Sequence, residues 1–130
     1  MIQIILDTNF LLIPAQFSVD IFSEIDRIME QKYELCVLDK SLEELDRVAK
    51  NAESGRDKRA AMLGIAFVAA KKIRLVKAGE KYVDEAILEL AERGKHMVAT
   101  QDMELKRKLK EKGISVITMR KQDHLMRVDA

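Results

Sequence analysis

The residues Ile2-Gln3-Ile4-Ile5-Leu6 constrain this chain more than any other stretch, because they form a short β-branched run that ends abruptly in Asp7. Such a run reads as a strand buried on both faces, the kind that stands in the middle of a parallel sheet. A carboxylate at its end does not stabilise a core, since a charge buried without a partner is costly or neutralises itself. Asp7 must therefore sit where the strand opens to solvent or to a cation. In open α/β sheets that place is the crevice at the carboxyl ends of the strands. Thr8 and Asn9 follow with short polar side chains suited to bonding the turn backbone or the carboxylate beside them. A plain strand-to-helix turn with Asp7 as helix N-cap would use the same residues.

Downstream, strand and helix patterns alternate. Ser18 is placed to cap a helix whose apolar positions Ile21, Phe22, Ile25, Ile28 and Met29 fall at helical spacing. Leu35 to Leu38 reads as a second strand, and Asp39 or Ser41 opens a helix with Leu42, Leu45, Val48 and Ala49 on one face. The polar stretch from Lys50 to Arg59 reads as a mobile surface loop. From Arg59 to Lys71 the chain is apolar almost all round, which predicts a helix that is either fully covered or part of a homodimer contact. Ile73 to Val76 is a short strand, and Gly79 breaks the chain before a helix that begins near Tyr82 and ends at Gly94. Met97 to Ala99 is another strand, followed by a charged helix from Met103 to Lys112 that Gly113 stops. Ile114 to Met119 is the last strand, and residues 120–130 read as a partial edge strand or a loose tail. The alternation predicts a single α/β domain over residues 1–130, a three-layer α/β/α sandwich around a central parallel sheet.

Composition narrows the function classes. A net charge of +1 argues against a general polyanion binder but leaves local basic patches open. The single Cys36 lies inside an apolar run and reads as a small core residue; it can build neither a disulfide framework nor a zinc site. His96 and His124 lack a spacing that would pair them as metal ligands. Neither G-x-G-x-x-G nor a P-loop occurs, and no serine- or cysteine-nucleophile motif is present. The apolar runs fall far short of a membrane span, and the N-terminus has neither a basic n-region nor a small-residue cleavage site, so the expected location is cytoplasmic.

Four acids depart from the solvent-facing pattern of the rest. Asp7 ends the first strand and Asp102 follows the strand Met97 to Ala99, which in a parallel sheet puts both at one carboxyl edge. Glu44 falls in the first turn of the helix after the second strand, and Asp84 in the first turn of the helix beginning near Tyr82. Carboxylates converging without basic partners repel by about 4 kcal/mol per pair at 4 Å for an effective dielectric of 20. A divalent cation resolves that repulsion, and hard oxygen ligands with room for water suit Mg²⁺ or Mn²⁺. Each acid also has a structural use: Ser41-Leu42-Glu43-Glu44 fits a capping box, Asp84 can complement a helix N-terminus, and Asp102 can cap the helix that follows.

The chain resembles a PIN domain, the metal-dependent ribonuclease fold related to flap-type nucleases, over essentially its whole length. The resemblance rests on Ile5-Leu6-Asp7-Thr8-Asn9, on Leu42-Glu43-Glu44-Leu45, on Val83 to Ala91, and on Val98-Ala99-Thr100-Gln101-Asp102-Met103-Glu104-Leu105. It implies Asp7, Glu44, Asp84 and Asp102 as catalytic metal ligands with Thr8, Asn9 and Thr100 in support, and Glu43 and Glu85 leave a one-residue ambiguity. Gln101 stands where the family often has Asn. The implied reaction is Mg²⁺- or Mn²⁺-dependent hydrolysis of RNA phosphodiester bonds, in single-stranded RNA. Arg47, Lys50, Arg56, Lys58 and Arg59 on one side, and Lys106 and Arg107 on the other, are the expected RNA-binding residues, whereas Lys108 and Lys110 read as a solvated helix face. Val98 to Arg107 resembles the small-subunit ribosomal RNA processing branch, which implies a ribosome-assembly partner. The alternatives are a toxin ribonuclease with an antitoxin partner and a non-catalytic RNA-binding or scaffold module.

Overall fold

The computed structural model describes residues 1–130, and its strands β1 (Ile2–Leu6), β2 (Tyr33–Leu38), β3 (Arg74–Val76), β4 (His96–Ala99), β5 (Val116–Arg120) and β6 (His124–Val128) form one sheet. The strand order is β3-β2-β1-β4-β5-β6. β1 is central, with Ile5 opposite Cys36 on β2 and Leu6 opposite Ala99 on β4. Its two neighbours come from opposite halves of the chain, so the strand order reverses between β1 and β4. That reversal point is where an open α/β sheet leaves a crevice at its carboxyl edge. The first five strands are mutually parallel, and β6 is antiparallel to β5.

Alternation along the strands builds two cores. Ile4 and Leu6 on β1, with Val37, Met97 and Ile117, pack under α1 (Ile13–Phe17), α2 (Ile21–Ile28), α3 (Asp39–Asn51) and α4 (Gly55–Ala70). Ile5 points the other way, with Cys36, Leu38 and Val98, against α5 (Val83–Leu90) and α6 (Met103–Glu111). The result is the three-layer α/β/α sandwich that the alternation of elements predicts. Cys36 is buried in the second core, and burial pushes its thiol up to about 11, so it is a packing residue and not a thiolate.

Several local expectations change. Pro14 at the start of α1 lets a 3₁₀ turn over Thr8–Leu12 continue into a short helix, and Ser18 is used in the left-handed conformation that ends it. Asp20 caps α2 instead, accepting from the amides of Phe22 and Ser23, both at 3.1 Å. Residues 50–59 are no mobile loop: α3 runs through Asn51, and Ser54 caps α4 by accepting from Asp57 N at 3.3 Å. The polarity there marks exposure, and its Lys, Arg and Asp side chains are compatible with helix. α5 ends at Leu90, not at Gly94, whose φ of +82° serves the turn into β4. Residues 120–130 contribute an edge strand, reached through Lys121 and Gln122 at positive φ; no glycine or asparagine marks that turn.

α4 is covered on one side only. Ala60, Ala61, Gly64 and Val68 face inward, and a Cβ on Gly64 would stand 3.1 Å from the Leu11 carbonyl oxygen, so the close helix approach depends on that glycine. Met62 (60% exposed) and Leu63 (39%) lie on the outside with Ala66, Ala69 and Ala70. Full coverage, one of the two expectations for this helix, is therefore not met within the chain.

The β6 edge of the sheet is protected by an ion pair. Glu24 on α2 bonds Arg27 at 2.8 and 3.0 Å; its carboxylate accepts from Leu125 N at 2.9 Å, while Arg27 donates to the Leu125 carbonyl at 2.9 Å. The two side chains thus satisfy the backbone groups that an open edge strand would offer to another chain. The Arg27 hydrogen bonds, followed by that from Leu125, hold the Glu24 carboxyl down to about 2. A folded-state value below the unfolded one means that the stabilisation is complete above the ordinary value of 4.5 and is lost as pH falls toward 2. Glu24→Ala should therefore melt lower than the parent near neutral pH, with the gap closing as pH falls through that window in parallel thermal melts.

Candidate active site

Asp7, Glu44, Asp84 and Asp102 all fall at the carboxyl edge of the sheet, each for a local reason. Asp7 follows the last residue of β1, and its Oδ1 accepts from Thr8 N at 2.8 Å, so it caps the 3₁₀ turn. Its other oxygen accepts from the Thr100 hydroxyl, also at 2.8 Å. Thr100 follows β4, is fully buried, and its Oγ1 accepts from Asp102 N at 3.1 Å. A continuous chain of hydrogen bonds therefore runs from the Asp102 amide through Thr100 to Asp7. Asp102 in turn caps α6, accepting from Leu105 N at 2.8 Å through one oxygen. Capping and ligation are compatible here, because the second carboxylate oxygen has no hydrogen-bond partner.

Asp7 forms no ion pair. Burial raises its pKa first, Thr100 and Thr8 oppose that rise, and the charges of Asp102 and Asp84 add to it. Burial likewise raises Glu44, as does the charge of Asp7, while Arg47 one turn away opposes it. Asp102 and Asp84 thus act on Asp7, and Asp7 and Asp84 on Glu44, with Arg47 near Glu44 and Lys108 beside the cleft of Asp84 and Asp102. Glu43 is exposed and takes no part, which resolves the ambiguity with Glu44 by helix phase. Asp84, not its neighbour Glu85, is the α5 acid whose charge bears on Asp7. Asp84 and Asp102 line one small cleft of about 60 Å³, which Glu85, Glu104 and Lys108 line as well.

Ser41 is not a helix cap. α3 already begins at Asp39, and the Ser41 side chain is fully buried, 2.9 Å from the Thr8 hydroxyl. The capping box with Glu44 is therefore not made. The Thr8 hydroxyl instead donates to Ser41, and its nearness to Glu44 partly offsets the rise that burial causes there. The sequence signal for Ser41 was misleading because a Ser followed three residues later by Glu also occurs inside a helix. Asp39, a fifth acid at this edge, holds the β3–α5 connection by accepting from Ala78 N at 3.0 Å.

The remaining expected residues divide. Thr8 and Thr100 join the acid network, whereas Asn9 is exposed and bonds nothing. Gln101 turns away from the acids and accepts from the hydroxyl of Thr118 and the amide of Met119, tying the β4–α6 turn to β5. Among the cations, Lys50 pairs with Asp46 at 2.9 Å and Arg56 donates to the Gln16 carbonyl at 3.4 Å. Arg47 lies near Glu44, and Lys58 and Arg59 on the first turns of α4 have no acidic partner. Lys106 donates to the Thr118 hydroxyl at 3.3 Å, and Arg107 pairs with Glu111 at 2.8 Å. Tyr82 is a feature the sequence reading passed over: it holds the N-cap position of α5 without capping it, is 76% exposed, and its hydroxyl has no partner. A residue poor at capping, two positions before Asp84, was the available signal.

As the side chains stand, no three of these acids are gathered closely enough to hold a metal ion. The donor set nevertheless suits a hard divalent cation: oxygen ligands only, one of them partly buried with two hydrogen bonds and no cationic partner, and two exposed acids free to turn toward it.

The sequence profile of a family described as "PIN like domain" matches residues 4–122. Ribonuclease VapC4 of Methanocaldococcus jannaschii is 36% identical over 126 residues, 95% of each chain. Among solved structures, that of the PIN domain endonuclease Utp24 matches with a TM-score of 0.74 at 21% identity, over 98% of this chain and 92% of that one, which is a likeness of fold.

Two substitutions separate the functions of the network in the metal-free protein. Because the folded-state pKa of Asp7 is raised, its ionised form costs stability once pH rises past its ordinary value of 3.8. Asp7→Asn, which caps about as well, should melt at or above the parent near neutral pH and converge with it below that value. Thr100→Val leaves the Asp102 amide without its acceptor and should cost about 1–3 kcal/mol by chemical denaturation.

Proposed function

The chain belongs to the PIN like domain family, and on that premise we propose that it is a divalent-metal-dependent endoribonuclease hydrolysing phosphodiester bonds of single-stranded RNA. Its 36% identity to a ribonuclease along nearly the full length of both chains supports the activity. The observation in the molecule that carries the reading is Asp7: a partly buried carboxylate without a cation, electrostatically coupled to Asp84, Asp102 and Glu44. A purely structural acid in that position would have been given a basic partner or replaced by a neutral cap.

In this mechanism Asp7, Asp84 and Asp102 would be the principal ligands of Mg²⁺ or Mn²⁺, and Glu44 would bind through a water or a second ion. Such an ion supplies an activated water and stabilises charge on the leaving oxygen. Thr100 fixes the Asp7 carboxylate through its 2.8 Å hydrogen bond and keeps its distance to Asp102 set by the backbone. Thr8, whose hydroxyl donates to buried Ser41, stands beside Glu44. Exposed Asn9 is left free to meet the substrate phosphate. Arg47, Lys58 and Arg59 on one side, with Lys106 on the other, offer positive charge to the RNA backbone, while Lys50, Arg56 and Arg107 are engaged by protein partners and contribute less. Tyr82 offers one ring for base stacking at the rim.

Maturation of ribosomal RNA is the proposed setting, in the cytoplasm with a ribosome-assembly partner. A toxin ribonuclease restrained by an antitoxin is the second reading, which the ribonuclease likeness supports equally. Growth arrest on expression and an adjacent antitoxin gene would mark the second.

The partner proposed for the outer face of α4 is another copy of this chain. Met62, Leu63, Ala66, Ala69 and Ala70 recur at helical spacing, and the alanines let a second helix approach closely. The parent should sediment as a dimer at micromolar concentration and Met62→Lys as a monomer with an unchanged melt; a monomeric parent removes the proposal.

The activity test is cleavage of a labelled single-stranded RNA with added Mn²⁺ or Mg²⁺. Asp7→Asn should lose most of the cleavage, as should Asp84→Asn and Asp102→Asn, with Glu44→Gln less affected. Glu53→Gln and Glu111→Gln, at exposed positions, should cut like the parent. Full activity in Asp7→Asn, or a parent whose melting ignores added metal, would leave the non-catalytic RNA-binding or scaffold reading in its place.

A further inference from the structure

The largest cavity of the molecule lies outside the acid network. A groove of about 670 Å³ runs between α6 and the β5–β6 hairpin, with an apolar floor that includes Ile114, Val116 and Met119. Its lining includes Gln101 and Met103, the two residues that flank Asp102. Met103 is 76% exposed there. The groove therefore starts next to Asp102 along the chain and follows α6 on the face opposite the cleft that Asp84 and Asp102 line.

The charges on its walls are uneven. Lys110 and Arg120 line the groove, and neither makes an ion pair or a side-chain hydrogen bond within the protein. The Lys106 ammonium touches only the neutral Thr118 hydroxyl at 3.3 Å. Asp129, the acid at the far end, is held by Arg127 at 2.7 Å. Helix phase sorts the lysines of α6: Lys108 turns to the opposite side, 3.6 Å from Glu104, while Lys110 turns into the groove. Both lysines are exposed, as expected of a solvated helix, but they face different sides of it.

We propose that this groove is a binding site for the single-stranded RNA chain on one side of the bond that is cut, with Lys106, Lys110 and Arg120 on its phosphates and the apolar floor beneath a base. This rests on the ribonuclease reading and specifies where its substrate runs. Lys106 and Lys110 are one helical turn apart, about 6 Å along the axis, a spacing that an extended polyanion can follow. The volume falls in the range of pockets that take nucleotide-sized ligands. Methionine sulfur in the lining gives a polarisable surface for an aromatic base without selecting among bases. An acidic peptide shares the charge complementarity, but a groove that runs along the helix carrying Asp102 at its start is explained by a substrate chain that reaches that acid.

The test measures binding of a single-stranded RNA oligonucleotide to the full chain in the presence of a chelator, across a salt series. Each phosphate contact contributes about 0.7 to the slope of log affinity against log salt for single strands. Lys110→Ala combined with Arg120→Ala should lower that slope by about 1.4 and weaken binding, while Lys110→Arg combined with Arg120→Lys should restore both. Lys32→Ala combined with Lys95→Ala, at a separate cavity beside the N-terminal residue, should leave the slope unchanged. A parent that binds and cuts RNA, with a double-alanine variant of parental slope, overturns the groove assignment while leaving the nuclease intact; this includes the case in which the variant loses affinity for an acidic peptide instead. A parent that neither binds nor cuts RNA overturns the ribonuclease reading and the groove with it.

Discussion

The Thr100 hydroxyl accepts a hydrogen bond from the Asp102 amide and donates one to Asp7, and this bridge spans the place where the strand order of the sheet reverses. It can exist only because β1 and β4 are parallel neighbours in a register that sets Leu6 opposite Ala99, so that both chains leave the sheet at the same level. That register in turn follows from the burial of β1 on both faces, where a one-residue slip would exchange the contents of the two cores. The acid network therefore rests on the packing of Ile4, Ile5 and Leu6. The same packing explains why Asp7 is held where burial raises its pKa instead of relaxing into solvent.

Around that fixed point the structure divides its polar groups into those that are satisfied and those left open. Asp39, Gln101 and His96 are satisfied: Asp39 holds the β3–α5 connection and Gln101 ties the β4–α6 turn to β5, while His96 Nδ1 accepts from Glu92 N at 2.9 Å with its pKa lowered by burial. Glu24 and Arg27 close the outer edge at β6 in the same manner. The open groups are Asp7 without a cation, one oxygen of Asp102, Lys110, Arg120 and the ring of Tyr82, and all except Asp7 are exposed. They lie at the carboxyl edge and along the groove beside α6. Unmet charge of both signs suits a metal-assisted enzyme for a polyanionic substrate.

Much of this was legible from residue order. The β-branched run before Asp7, the helical spacing of Val83, Ala86 and Ile87, and Gly113 at φ +83° after α6 each act locally, and each matches the element found there. The edge shared by Asp7 and Asp102 also followed from sequence, because parallel strands bring their carboxyl ends together whatever packs around them. The readings that changed concerned Ser18, Ser41, residues 50–59 and Gly94. The serines had competitors a few residues away in Asp20 and Asp39, the polar stretch proved compatible with two helix ends, and the glycine served a turn instead of a helix end.

The sequence by itself determined which residues form strands and helices, that the sheet is parallel through its middle, and that four acids reach one side of it. The reason is that backbone propensity and hydrophobic period are properties of neighbouring residues, and chain direction then places strand ends together. Only the tertiary structure decided that Glu44 and not Glu43 reaches the site, that Lys110 faces a groove while Lys108 faces away, that Ser41 supports Thr8 from within the core, and that the outside of α4 stays uncovered. Each is a choice between neighbours that differ by about 100° of rotation per residue on a helix. Sequence spacing alone leaves that angle free, and packing against the rest of the chain sets it.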